Sequence, residues 1–293
     1  MELGIRIEQP DLGRPGASRR LRFDSPGAPC VVILNGTGSG FEGGADSPDL
    51  SLKWLPAGSA DYRTEGRSYR LSGATQLLLN RGQPYRLNMR VPSESFVLFF
   101  PNSEVNAAWR ALTGTEEPLP EIPTAAAPSP PAMRNHLAHL RSETRSPNPD
   151  ADRLRELCCA VLAEIAVLVM ARRGQAMRIP GARRSTREEL LRRLLRAEAY
   201  LAETGAGATL AGAADAAALS PFHLIRLFKA AFGETPLSYG TGMRLDRARN
   251  ELIKSHKSIV DIAEAAGYES RSAFDRAFVR RYRSTPGAVR AAS

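Results

Sequence analysis

Cysteine, histidine and long apolar runs are all scarce in this chain, and each scarcity closes off a class of protein. Three cysteines, Cys30, Cys158 and Cys159, stand in 293 residues. They are too few for a disulfide framework and lack metal-ligand spacing, and adjacent cysteines are poorly placed to bridge each other. The four histidines are His136, His139, His223 and His256, so the strand-rich front of the chain has none. A metal-dependent barrel enzyme of the double-stranded β-helix kind binds its metal through imidazoles, and such an activity is not expected here. His136 and His139 read as a solvated pair on a helix surface. Neither a metal nor a cofactor is expected. The longest apolar run, Leu157 to Met170, contains Glu164 and falls short of the roughly 20 residues of a membrane span. Glu2, Arg6 and Glu8 interrupt any basic-then-apolar signal near residue 1, so a cytoplasmic protein without membrane partners is the expectation.

What is present is positive charge, unevenly spread. The net charge is +9, and residues beyond 180 carry 19 Lys/Arg against 12 Asp/Glu. Positive charge gathered at one end is the footprint of a polyanion-binding module. A chain of this length is expected to form two domains.

Up to about Ala108 the chain reads as strands. Val31–Leu34, Gln76–Leu79, Tyr85–Met89 and Phe96–Phe100 are short apolar or alternating runs, separated by clusters such as Asn80-Arg81-Gly82-Gln83-Pro84. Many short strands suggest a sandwich or barrel, filled by side chains or holding one small ligand. Gly38-Ser39-Gly40-Phe41-Glu42-Gly43 fits the dinucleotide fingerprint, but Gly44-Ala45-Asp46-Ser47-Pro48-Asp49 follows instead of the helix that a pyrophosphate needs. A glycine-rich hairpin is the better reading.

Six prolines between Pro118 and Pro131 predict a stiff, non-helical connector. Beyond it, Met133, Leu137 and Leu140 have helical spacing. From Asp152 to Arg173, apolar residues recur every three or four positions: Leu154, Leu157/Cys158, Val161/Leu162, Ile165 and Leu168/Val169. This helix either packs on its own barrel or forms half of a dimer interface, and the two are compatible. The expected division is a β-barrel domain over 1–110, a Pro-rich connector over 111–132 and a helical region over 133–173. A linker over 174–187 and a basic helical domain over 188–293 complete it. The fold class is α+β multidomain: an all-β cupin-like barrel followed by helices, then an all-α tandem helix-turn-helix domain.

The strongest signal is a duplication near the C-terminus. Ser220, Leu224, Arg226 and Phe228 are matched fifty positions on by Ser270, Phe274, Arg276 and Phe278. Each copy ends in an aromatic and Thr-Pro, as Phe232 with Thr235-Pro236 and Tyr282 with Thr285-Pro286. In the first copy Thr209–Ala217 is a scaffold helix, Ala218-Leu219 a turn and Ser220 the N-cap of a reading helix, with Pro221 suited to the first helical position. A connecting helix from about Pro236 to Lys254 comes next. The second copy has its scaffold at Ser258–Ala266, its turn at Gly267-Tyr268-Glu269 and its reading helix at Ser270–Tyr282.

Helical geometry sorts the reading helices. Leu224, Leu227, Phe228 and Phe232, with counterparts Phe274, Ala277, Phe278 and Tyr282, make the buried stripe. Phe222, Ile225, Arg226 and Lys229 remain on the outward N-terminal half of the first, and Arg271, Ser272, Asp275 and Arg276 on that of the second. N-terminal residues of a recognition helix reach base edges in the major groove. There Arg forks onto guanine, Asp accepts from cytosine, and Phe or Ile rests on a thymine methyl.

Residues ~188–290 resemble the AraC/XylS family of bacterial transcription regulators. The resemblance rests on Leu219–Lys229, Phe232-Gly233, Thr235-Pro236, Tyr239, Arg244-Leu245 and Ala248. It continues through Ile262-Ala263, Gly267-Tyr268, Ser270, Phe274, Arg276, Phe278 and Thr285-Pro286. It implies that Phe222, Ile225 and Arg226, then Arg271, Ser272, Asp275 and Arg276, face bases, with His223 and Lys229 near phosphates. It also implies an effector-binding, dimerising N-terminal barrel, promoter DNA and RNA polymerase as partners, and a homodimer. One departure is Ala218, where the family commonly has Gly; Gly212 also stands inside the scaffold helix. Ala resists positive φ, so the second unit is expected to be the more regular.

The expectation is a DNA-binding transcription activator without catalysis, gated by a small molecule. The rivals are a redox-responsive or ligand-independent regulator using Cys158 and Cys159, and a barrel enzyme targeted to nucleic acid.

Overall fold

The computed structural model describes residues 4–8, 11–12, 19–20, 30–73, 75–181 and 183–292. The chain divides into two units, Met1–Ala176 and Met177–Ser293. The first is built on strands β1 (Gly4–Glu8), β2 (Asp11–Leu12), β3 (Arg19–Arg20), β4 (Cys30–Gly38), β5 (Phe41–Asp46) and β6 (Leu50–Ala57). These continue as β7 (Ser59–Thr64), β8 (Arg67–Ser72), β9 (Thr75–Leu79), β10 (Pro84–Met89), β11 (Ser93–Phe100) and β12 (Ala126–Pro128). One sheet runs β1-β4-β11-β6-β9-β12, with β2 also on β4; the other runs β3-β5-β10-β7-β8.

Burial follows the role of each sheet. Strands β5, β7 and β10 alternate between buried and more exposed residues, as expected of a sheet with one face in solvent. Strands β9 and β11 are buried throughout, so both faces of the first sheet are covered. Its inner face carries Val32, Leu34, Val97 and Phe99. Its outer face, with Ile33, Leu52, Trp54, Phe96 and Leu98, packs on helices α1 (Asn102–Thr113), α2 (Pro131–Glu143) and α3 (Ala151–Met177). The predicted stripe of α3 supplies Leu154, Leu157, Cys158, Val161, Leu162, Ile165 and Val169 to that core, so this helix packs on its own sheet.

Several local expectations need correction. Residues 102–108 are helical, not extended: Pro101 ends the strand run, Val105 and Trp109 one turn apart are buried, and Gly114 at φ 66° stops the helix. Gly38 and Phe41 do not flank a paired hairpin, because β4 and β5 lie in different sheets. The tight turn carries the chain from one sheet to the other, with Gly40 at φ 68° and its amide donating to the Met89 carbonyl.

The connector expected over 111–132 is helical at both ends, where α1 runs to Thr113 and α2 begins at Pro131, and the non-helical stretch between them is not a free spacer. Ala126–Pro128 pair with β9. The Asn80 side chain exchanges two hydrogen bonds with the Ile122 backbone, at 2.9 and 3.0 Å. Gln83 donates to the Thr124 hydroxyl at 2.8 Å. Helix α3 also runs on to Met177, and the next helix starts at Arg184, so the segment expected as a linker over 174–187 is helical at both ends. His136 and His139 lie on α2, half-buried and exposed respectively. Among the described residues no helix is long and apolar enough to cross a membrane.

Helix α2 is fixed to the sheet by a nearly buried carboxylate. Glu94 on β11 accepts both arms of the Arg141 guanidinium and a further bond from Arg145. Hydrogen bonds to charged groups are worth more than neutral ones, and a partner left unpaired adds a desolvation cost. Glu94→Gln keeps the shape and removes the charge; it should lower stability by about 1.5–3 kcal/mol in urea unfolding. The exposed Glu121→Gln serves as a control and should leave the midpoint unmoved.

Candidate nucleic-acid interface

The second unit is all helical: α4 (Arg184–Thr204), a 3-10 turn (Gly205–Gly207), α5 (Leu210–Ala217), α6 (Pro221–Phe232), α7 (Pro236–Lys254), α8 (Ile259–Ala265), α9 (Arg271–Tyr282) and α10 (Pro286–Ala291). Helices α5 and α8 are the predicted scaffolds and α6 and α9 the predicted reading helices. The starts are capped as expected. Ser220 accepts from the His223 amide at 3.3 Å and Ser270 from the Ala273 amide at 3.2 Å. Ser258 and Asp261 form a reciprocal capping box on α8.

The two turns share one hydrogen-bond pattern. Leu219 donates to the Ala214 carbonyl and Ala218 to Asp215; Tyr268 donates to Ala263 and Gly267 to Glu264. Ala218 therefore occupies the place of Gly267, at φ 52° against φ 80°. The alanine adopts the left-handed conformation that its Cβ resists. Arg196 and Arg193 donate to the carbonyls of Ala216, Ala217 and Ala218, satisfying the end of α5. Nothing in the sequence pattern singled out these two arginines, although their spacing on one helical turn is the available signal. The second turn is one residue longer, with Glu269 between Tyr268 and the cap.

Glycine inside α5 also has a cause: a Cβ on Gly212 would run into the Tyr200 hydroxyl of α4.

Aromatic stacks seat both reading helices. Phe228 stacks on Phe232 at 4.2 Å between ring centroids, and Tyr239 meets both edge-on. The Tyr239 hydroxyl donates to the buried Glu198 on α4. In the second copy Phe278 packs on Tyr282 at 4.6 Å. Tyr282 and Arg281 both donate to Asp246 on α7. The buried stripe is as expected for Leu224, Leu227, Phe228, Phe274, Ala277 and Phe278, while Phe232 and Tyr282 are half-buried.

The remaining face carries the predicted contact residues. Phe222 is 79% exposed, an unusual state for a large apolar ring. Arg226 and Lys229 are exposed on α6, with Ile225 and His223 half-buried beside them. On α9, Arg271, Ser272 and Arg276 are exposed; Asp275 is half-buried and ion-paired with Arg271 at 3.6 Å. Arg226 and Arg276 thus occupy the same exposed place on two capped helices. Arg249, Arg280 and Arg283 are further exposed cations of this unit.

The profile of a family described as "Helix-turn-helix domain" matches residues 213–292, which take in both turns and both reading helices. A putative AraC-like transcription regulator of Streptomyces lividans is 39% identical over 82 residues, 28% of this chain and 27% of that protein. This unit belongs to the AraC/XylS family. The RCS-specific HTH-type transcriptional activator RclR of Escherichia coli is 30% identical to this chain over 164 residues, 54% of each. The chain therefore matches about half or less of the length of these relatives. Among solved structures, an AraC-type DNA-binding domain from Chromobacterium violaceum is 31% identical and covers 34% of this chain and 89% of its own, with a TM-score of 0.33.

The two turns of the AraC-type domain should respond oppositely to substitution. Ala218→Gly relieves a left-handed alanine and should raise stability by about 0.5–1 kcal/mol, after the added freedom of the unfolded chain is set against it. Gly267→Ala should destabilise by more than about 1 kcal/mol, because its φ is positive and the new Cβ would strike Ala206. Thermal melting of the two variants beside the parent checks both signs.

Proposed function

We propose that this protein is a sequence-specific regulator of transcription that binds double-stranded promoter DNA, acts as an activator together with RNA polymerase, and catalyses no reaction. The observation that carries this reading is the matched pair of exposed arginines, Arg226 and Arg276, on two reading helices of an AraC-type domain. Each forks onto a guanine, with Phe222, Ile225, Arg271, Ser272 and Asp275 contacting neighbouring base edges. His223 and Lys229 meet phosphates. Helix α7 has 19 residues and so is about 28 Å long at ~1.5 Å per residue, a rigid spacer on the scale of one turn of DNA.

In this reading the N-terminal unit takes a small-molecule effector and pairs with a second copy in the cytoplasm. Val167 and Met170, exposed on α3 beside its buried stripe, support the pairing. That the Escherichia coli relative is an activator favours activation over repression.

The thiols lend a redox-responsive regulator less support. Burial pushes the Cys158 thiol up to about 12 and raises that of Cys159 as well, so neither is held as the reactive thiolate that redox sensing uses.

Selection of random duplexes by the full-length protein tests the proposal. An enriched site should appear, and its affinity should fall steeply with salt, with a log–log slope of about −0.9 per phosphate neutralised. Arg276→Ala should relax preference at one base pair, costing about 1–3 kcal/mol there. Uniform weakening on every sequence would instead make Arg276 a phosphate contact.

A further inference from the structure

The interior of the first unit holds a lysine with no counter-charge among the described residues. Lys53 lies mid-strand on β6, opposite Val97 of β11 and Leu77 of β9, and is 0% exposed. Its Nζ sits 4.1 Å from the centroid of the Phe99 ring and 4.4 Å from that of Tyr85. One ring comes from each sheet, so the amine lies between the two inner faces. Among the described residues Nζ has no hydrogen-bond partner. Other buried charged groups are treated differently: Glu94 has two arginines and Glu198 has Tyr239.

A second donor shares this interior. Tyr62 on β7 is 1% exposed, and its ring lies 6.0 Å from Tyr85. The Tyr62 Oη completes no hydrogen bond among the described residues.

Packing alone does not account for a lysine at this place. Methionine would fill similar space without the cost of burying an unpaired amine, which is large. Burial holds the Lys53 pKa well below the ordinary lysine value, which disfavours the charged form of the amine. Two ring faces favour its charged form once an anion supplies the missing half of the pair. The surroundings otherwise present apolar surface from Val32, Leu34 and Val97.

We infer that the interior around Lys53 binds a small organic monocarboxylate, with Nζ as its counter-ion, Tyr62 as a second donor, and the Phe99 and Tyr85 rings against its apolar part. The inference rests on the proposed gating by a small molecule and names the chemical class of that effector. In the bound state the ammonium of Lys53 and the carboxylate form an ion pair. The flexible four-carbon stem of lysine lets the amine swing aside to make room.

The test uses the full-length protein, dialysed, with acetate, benzoate and octanoate as probes and benzyl alcohol and 1-octanol as uncharged controls. At least one acid should bind saturably in calorimetry and raise the melting temperature, while the matching alcohol does neither. Benzoate or acetate binding points to a soluble metabolite; octanoate binding alone points to a lipid-derived acid. Lys53→Met should melt higher than the parent without ligand and bind the acid at least tenfold more weakly. Tyr62→Phe should weaken binding several-fold with little change in melting. The inference fails if no acid binds, if the alcohols bind as well, if Lys53→Met binds undiminished, or if that variant melts below the parent.

Binding to the selected duplex, measured on the same samples, separates this from the regulatory reading. Specific DNA binding without acid binding sinks only the anion site. Acid binding without specific DNA binding sinks only the regulator.

Discussion

An aromatic ring that must pack on its neighbours while its hydroxyl finds a carboxylate is the constraint on which the C-terminal unit depends. Tyr239 meets it by packing on Phe228 and Phe232 and donating to Glu198; Tyr282 meets it by packing on Phe278 and donating to Asp246. A phenol is satisfied only when its apolar body and polar tip are both placed, which fixes position and angle together. Two of the four partners, Tyr239 and Asp246, lie on α7, so the connecting helix serves as the common reference for both reading helices. A shift of α7 would therefore disturb both halves of the duplicated motif at once.

The duplication is not perfect, and the differences are informative. The left-handed residue is alanine in the first turn and glycine in the second, yet the hydrogen bonds around them match. Glycine removes the strain of that conformation; alanine persists there because the α5 carbonyls are held by Arg193 and Arg196 and the Ser220 cap fixes the start of α6. The second turn instead needs its glycine twice, for φ and for the approach of Ala206. The extra residue, Glu269, lengthens the passage from turn to helix in the second copy only.

Much of this was legible in the sequence, for physical reasons. Caps, prolines and apolar spacing are local, so the bounds of α6, α7 and α9 and the buried stripe from Leu224 to Phe278 could be read from the residues that form them. The fully buried strand β11 was found by its continuous apolar run. What escaped depends on partners far along the chain. A hairpin and a crossing between sheets have the same turn residues, and only the pairing of β5 with β10 distinguishes them. The helix at Asn102 was lost because its short apolar period comes directly after a strand. Composition gave no hint that Asn80 and Gln83 hold the proline-rich segment, or that the lysine between Leu52 and Trp54 would point inward between two aromatic rings.

That proline-rich segment has a further effect through its position. Strand β12 lies on the outer margin of its sheet, paired with Thr75, Gln76 and Leu77 of β9. Such a margin, left bare, presents unpaired amides and carbonyls to any other extended chain. Ala126–Pro128 occupies it with three residues, one of which has no amide to offer onward. A stretch that composition marks as a mere tether thus acts as a selvedge, finishing the weave with a short border that ends in a proline.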